Sequence, residues 1–169
     1  AIEADVLEAT GWPGGASRTA SFFSGGIDSF HTVLVPRHVP VDVLLLVLGT
    51  FDLVSGHAAS CERVRAKLQV AADAVGKALV PVTTNQMKTR MAASDPKHLA
   101  GGSMLAAVAL ALERRYARVM ISAAADPRGF DSATGHPYLT ALRSTRRTRF
   151  VEEGFGCSRV AKTEVVARN

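Results

Sequence analysis

A chain of 169 residues whose apolar fraction is 47% can bury a core of its own and is too ordinary in composition for disorder. Lys and Arg exceed Asp and Glu by five, an excess concentrated between Arg143 and Arg149, which suits a polyanionic ligand and equally a solvated basic loop. Cys61 and Cys157 stand too far apart for a zinc spacing or a disulfide framework. No run reaches the roughly 18 apolar residues of a membrane helix and no signal-peptide pattern opens the chain, so a reducing cytoplasm without a membrane partner is expected.

Residues 1–17 contain the turn cluster Gly11-Trp12-Pro13-Gly14-Gly15 and read as an extension or linker. A first strand is expected over Arg18 to Phe23, then a glycine turn and a helix from about Ile27 to Val35 that stops before Pro36. Val41 to Leu48 is an unbroken Val/Leu run after Asp42, the pattern of an interior parallel strand covered on both faces. Ala58 to Val75 forms a long helix ended by Gly76, with Val64, Leu68, Ala71, Ala72 and Val75 as its apolar stripe. Leu79 to Thr83 is a third strand, and Pro81 within it predicts a sheet edge. A helix over Met104 to Tyr116, a strand over Arg118 to Ala123, a polar connection from Ala124 to about Arg147, a strand over Phe150 to Glu152 and a helix from Lys162 to Arg168 complete the chain. This alternation predicts an α/β fold, a Rossmann-like doubly wound five-stranded parallel sheet of order 3-2-1-4-5 with helices on both faces. Starting at Ala1 and stopping in a helical pattern at Asn169, the sequence reads as a piece of a longer polypeptide, with additional domains outside this chain.

Ser24-Gly25-Gly26-Ile27-Asp28-Ser29 joins the first strand to the first helix. A helix start leaves backbone N–H groups without intrahelical partners and carries the positive end of the macrodipole, and glycines let a polyanion approach the main chain. Ser24 and Ser29 add hydroxyls, and Asp28 adds a carboxylate able to hold Mg²⁺ against phosphate oxygens. In the predicted sheet this turn lies where strand order reverses, outside the carboxyl ends of the strands, the usual ligand position. The spacing is neither that of a Walker loop nor that of a dinucleotide fingerprint.

The string resembles the SGGxDS signature of the PP-loop ATP pyrophosphatases, and the likeness extends over most of the chain from Arg18 onward, nearest to a stand-alone branch similar to 7-cyano-7-deazaguanine synthase and NAD synthetase cores. The resemblance implies an enzyme that uses ATP and Mg²⁺. Its loop grips the β- and γ-phosphates, a substrate oxygen attacks the α-phosphorus, and pyrophosphate leaves an adenylated carboxylate or amide that a nitrogen or sulfur nucleophile then attacks. It also implies nucleotide contacts from Phe23, Ser24, Gly25, Gly26, Ile27, Asp28 and Ser29. Ser158-Arg159-Val160-Ala161-Lys162-Thr163-Glu164-Val165 is similar to the family segment that opens a late helix. It makes Lys162, then Arg159, candidates for neutralising the pyrophosphate leaving group, although Lys and Glu in a first helical turn are also ordinary surface residues.

Gly102 and Ser103, in a second glycine-bearing helix start, are candidates to approach the α-phosphate, against a plain loop and cap. Adenine selection in this family relies on main-chain groups at the ends of strands one and two, which singles out Phe22, Phe23, Gly49 and Phe51. Phe51 stacks on the base or belongs to the core. Asp126, after the fourth strand, is a second candidate for metal, and Asp126-Pro127 is also a common turn opening. Asp52 shares the metal or substrate role, His98 is a loop histidine, and His136 is a general-base candidate in a reaction that needs none. Arg143, Arg146, Arg147 and Arg149 offer contacts to a carboxylate or to RNA phosphates. The acceptor is a small molecule or an RNA, and a homodimer is a further possible partner. Two rivals stand beside the adenylating enzyme: a non-catalytic adenine-nucleotide-binding module, and an RNA-modifying subunit that docks tRNA on the basic segment.

Overall fold

The computed structural model describes residues 18–36, 38–50, 58–89, 101–123 and 137–169. Phe51, Asp52, His98, Asp126, His136 and the first seventeen residues therefore lie outside the described residues.

The Val/Leu run of the second strand sets the plan. Strand β2 (Val43–Leu48) sends Val43, Leu45 and Val47 into one apolar cluster and Leu44 and Leu46 into another, because successive side chains of a strand point to opposite faces. A strand buried on both faces needs helices on both sides, and the sheet has them. Strands β1 (Thr19–Phe22), β2, β3 (Ala78–Thr83), β4 (Arg118–Ser122) and β5 (Arg149–Glu153) pair in parallel, in the order β3-β2-β1-β4-β5 that the sequence predicts. β3 is an edge, as Pro81 requires.

Five described helices pack on this sheet: α1 (Ile27–Leu34), α2 (Ala58–Ala74), α3 (Gly101–Ala111), α4 (Pro137–Leu142) and α5 (Arg159–Ala167). α3 closes the first core, setting Ala106, Val108 and Ala109 with Phe22, Ile121 and Phe150. α2 closes the second, setting Leu68 and Ala72 with Phe23, Leu44, Leu46 and Met120, joined by Phe30 and Val33 of α1. Fully burying side chains of this size stabilises a fold by about 1.5–3 kcal/mol each.

Three elements differ from expectation. α3 begins three residues earlier than Met104 and stops at Ala111, because Gly101 and Gly102 are buried within its first turn. At its far end, i to i−3 bonds from Leu112, Glu113 and Arg115 unwind the chain toward the buried Tyr116. α4 falls inside the stretch expected as a connection, and its Thr140 hydroxyl donates to Glu152 Oε2 at 2.9 Å, tying it to β5. α5 starts at Arg159 because Ser158 caps it, its Oγ accepting from the Ala161 amide at 3.2 Å. Among the described residues no helix is long and apolar enough to cross a membrane.

Candidate functional site

β1 is central, with β2 on one side and β4 on the other, so strand order reverses beside it. The chain leaves β1 through Phe23, whose amide still donates to the Leu45 carbonyl at 2.8 Å, and turns at Ser24, Gly25 and Gly26. Phe22 and Phe23 both point into the cores, and the Phe23 ring meets Phe30 edge-on, with centroids 4.9 Å apart. Their rings are structural, and only their main chain faces the turn. Ser24 and Gly26 are exposed, Gly25 and Ile27 half-buried.

Gly25 adopts φ +78°, and a Cβ on it would lie 2.5 Å from Leu68 Cδ2. Glycine thus lets the turn lie tight against α2. Gly26 is the N-cap of α1 and no side chain caps the helix. Ser29 does not do so either: its buried hydroxyl donates to the Gly26 carbonyl at 2.8 Å. Among the described residues no side chain accepts from the first amides of α1 past Gly26, whose own amide donates to Ser24 Oγ at 3.4 Å, and they adjoin a turn that faces solvent. A phosphate or carboxylate suits such a place.

Asp28 sits in the first turn of this helix, half-buried, with Lys162 Nζ 2.9 Å from its Oδ1. Lys162 comes from α5, which packs against α1, and its side chain is only 1% exposed. The ammonium also donates to the Ala123 carbonyl at 2.6 Å, just past β4. One cation therefore ties together the segments following β1, β4 and β5. A buried ammonium is costly unless paired and hydrogen-bonded, and here it has both kinds of partner. Nearby, the Thr32 hydroxyl lies 2.9 Å from Ser122 Oγ and also bonds the Asp28 carbonyl, fixing α1 on β4.

Two residues of this cluster escaped the sequence reading. Gly154, just past β5, has φ +78°, and a Cβ on it would lie 3.2 Å from Lys162 Cε and 3.3 Å from His31 Nδ1. His31, one turn after Asp28, is buried against the same place. A glycine after a strand was the available signal for the first. His31 gave none, because its burial depends on α5.

The other candidates lie apart from the pair. Arg159 is exposed on α5 and lines a shallow hollow with Val160, Thr163, Glu164 and Ala167. Gly49 follows β2, where a side chain would collide with the Thr84 carbonyl, so its glycine has a packing reason. Gly102 meets the Arg143 guanidinium: a Cβ there would lie 2.8 Å from Nη1, and Arg143 Nη2 reaches Ser103 Oγ at 3.4 Å. Gln86, also unforeseen, is buried beside α3 and donates to the Met104 carbonyl at 3.1 Å. Phe51 and Asp126 lie outside the described residues. Among the described residues no group of three or more His, Cys, Asp and Glu side chains is placed to hold a metal ion.

No family model, curated protein or solved structure matches the chain.

Proposed function

We propose that the chain is an ATP pyrophosphatase-type enzyme, which cleaves ATP to AMP and pyrophosphate to activate a carboxylate or amide oxygen for attack by a nitrogen or sulfur nucleophile. The observation that carries this proposal is the start of α1: solvent-facing, opened by glycines, without a side-chain cap, and bearing an aspartate held by a buried ammonium. Such a start offers main-chain donors and a helix dipole to a pyrophosphate tail. The PP-loop resemblance of Ser24 to Ser29 supplies the reaction class.

The donor set admits Mg²⁺ in one way. The ion binds through one or two carboxylates when phosphates complete its shell, so Asp28, through the oxygen not held by Lys162, would share it with the nucleotide. When bound, the ion offsets charge on the departing pyrophosphate. Lys162, enclosed by Asp28 and the Ala123 carbonyl, acts in this scheme by orienting Asp28 and by placing positive charge beneath the turn. Its role is positional. Arg143, lying over the first turn of α3, is set to meet an anionic oxygen of the nucleotide or the acceptor.

The test is to incubate the protein with MgATP and a panel of carboxylate and amide acceptors and to measure pyrophosphate and orthophosphate separately. Acceptor-dependent pyrophosphate is expected. Orthophosphate alone, or no ATP binding by calorimetry, refutes the proposal.

A further inference from the structure

Helix α5 has two unlike sides. On the inner side Lys162 is buried on Asp28 of α1, with Val165 and Val166 half-buried around it. The outer side, made of Arg159, Val160, Thr163, Glu164 and Ala167, is exposed throughout and lines one shallow hollow. At about 100° per residue Val160 stands about 200° round the helix from Lys162, so an apolar side chain that is 69% exposed occupies the middle of the outer side. Thr163 extends this strip, because its hydroxyl donates to the Arg159 carbonyl at 2.8 Å and its polar atom is thereby used within the helix. A single exposed apolar side chain is ordinary on any surface. The charges on either flank are what give this one a meaning.

Val160, Thr163 and Ala167 follow at steps of three and four, the a, d and a positions of a heptad, which places Arg159 at g and Glu164 at e. One flank of the strip is therefore basic and the other acidic. When two such helices pair in parallel about a two-fold axis, the g residue of each meets the e residue five positions later in the other. Arg159 then faces Glu164 of the second copy, and symmetry repeats the contact across the axis. An antiparallel pair would bring like flanks together, Arg159 on Arg159 and Glu164 on Glu164, and would be repelled. The groups needed are at hand. Among the described residues Arg159 has no carboxylate partner, and Glu164 has only an exposed contact with Arg168 at 3.7 Å, of a kind worth little.

Charge also sets other occupants aside. An anionic lipid surface or an acidic segment would be opposed by Glu164, and a basic one by Arg159, whereas a second copy satisfies both flanks at once. We propose that α5 is a homodimer contact, in which two copies of the chain pair their α5 helices in parallel through Val160, Thr163 and Ala167, with Arg159 and Glu164 bridging across the axis. Lys162, on the opposite side, stays beneath α1 in each copy, so the contact is independent of the nucleotide chemistry proposed above. A helix of nine residues offers a contact at the small end of specific interfaces, and the dimer is accordingly weak and concentration-dependent.

Sedimentation velocity of the full chain, from about 10 µM to about 1 mM, tests this. Wild type should pass from monomer to dimer across that range and dissociate more readily at high salt. Arg159→Glu and Glu164→Arg each set two like-charge contacts across the axis and should each weaken the dimer at least about tenfold. An equimolar mixture of those two variants restores both opposite-charge contacts, as does the double variant Arg159→Glu/Glu164→Arg, and each should return to within about threefold of wild type. Val160→Asp should abolish the dimer. A wild type that stays monomeric at every concentration overturns the proposal, and so does a dimer that the single variants leave unchanged. Failure of both the mixture and the double variant to recover the dimer overturns it as well.

Discussion

The two ends of one parallel sheet are built on opposite electrostatic plans. At the carboxyl end a single ammonium is buried and enclosed, held by Asp28 and the Ala123 carbonyl, and the start of the helix above it is left uncapped. At the amino end Arg18 and Arg149 are exposed and Arg118 half-buried where their strands start. The first arrangement fixes geometry, because a buried ion pair tolerates little displacement. The second places charge nearer to solvent. Burial, rather than charge count, separates the two ends.

Substitutions at Asp28 break the carboxyl end most severely. Asp28→Ala should abolish MgATP-dependent pyrophosphate release, and it should also destabilise the fold by about 3–5 kcal/mol by leaving Lys162 buried without its carboxylate. Denaturant unfolding of that variant measures the loss. Asp28→Asn/Lys162→Met should recover most of the stability and none of the turnover, a split that a purely structural pair would not produce.

Lys162→Met comes next. It should lower turnover by about 100-fold, from ~3 kcal/mol of lost transition-state stabilisation, and leave ATP affinity within about threefold, as measured by single-turnover kinetics and calorimetry. A loss confined to affinity would make Lys162 a ground-state contact. Gly154→Val should cost about 2–3 kcal/mol in thermal or chemical unfolding, since the backbone there holds φ +78°, which a β-branched residue disfavours, and the added side chain must displace Lys162 and His31. It should also lower turnover, which tests whether the position of the ammonium matters to chemistry.

The smallest effect sharpens the contrast between the two packed helices α1 and α5. Ser158→Ala removes the cap of α5 and should cost about 1 kcal/mol with little change in ATP affinity. Wild-type α1, uncapped, should gain stability from added MgATP, with a melting temperature that rises with ligand concentration.

Much of this was legible before folding. β2 announced itself because a Val/Leu run buried on both faces has one comfortable place, and Pro81 marked β3 as an edge because it cannot donate to a ladder. The glycine turn was legible because its chemistry is local: strand, Gly-Gly, helix start. α4 was not, since Pro137 to Leu142 carries no helical apolar stripe and is held by Thr140 on Glu152. The basic stretch was read as one feature, whereas Arg143 lies over Gly102 at the start of α3 and Arg149 begins β5 at the amino edge.

Sequence by itself determined the alternation of strands and helices, their parallel order and the position of the glycine turn, because period, glycine and proline act over a few residues. Only the tertiary structure decided that Lys162 is buried on Asp28, that Gly154 and His31 crowd it, and that the arginines divide between two ends of the sheet. The first of those facts joins residues 134 positions apart, and such a distance becomes a contact only when the sheet is assembled.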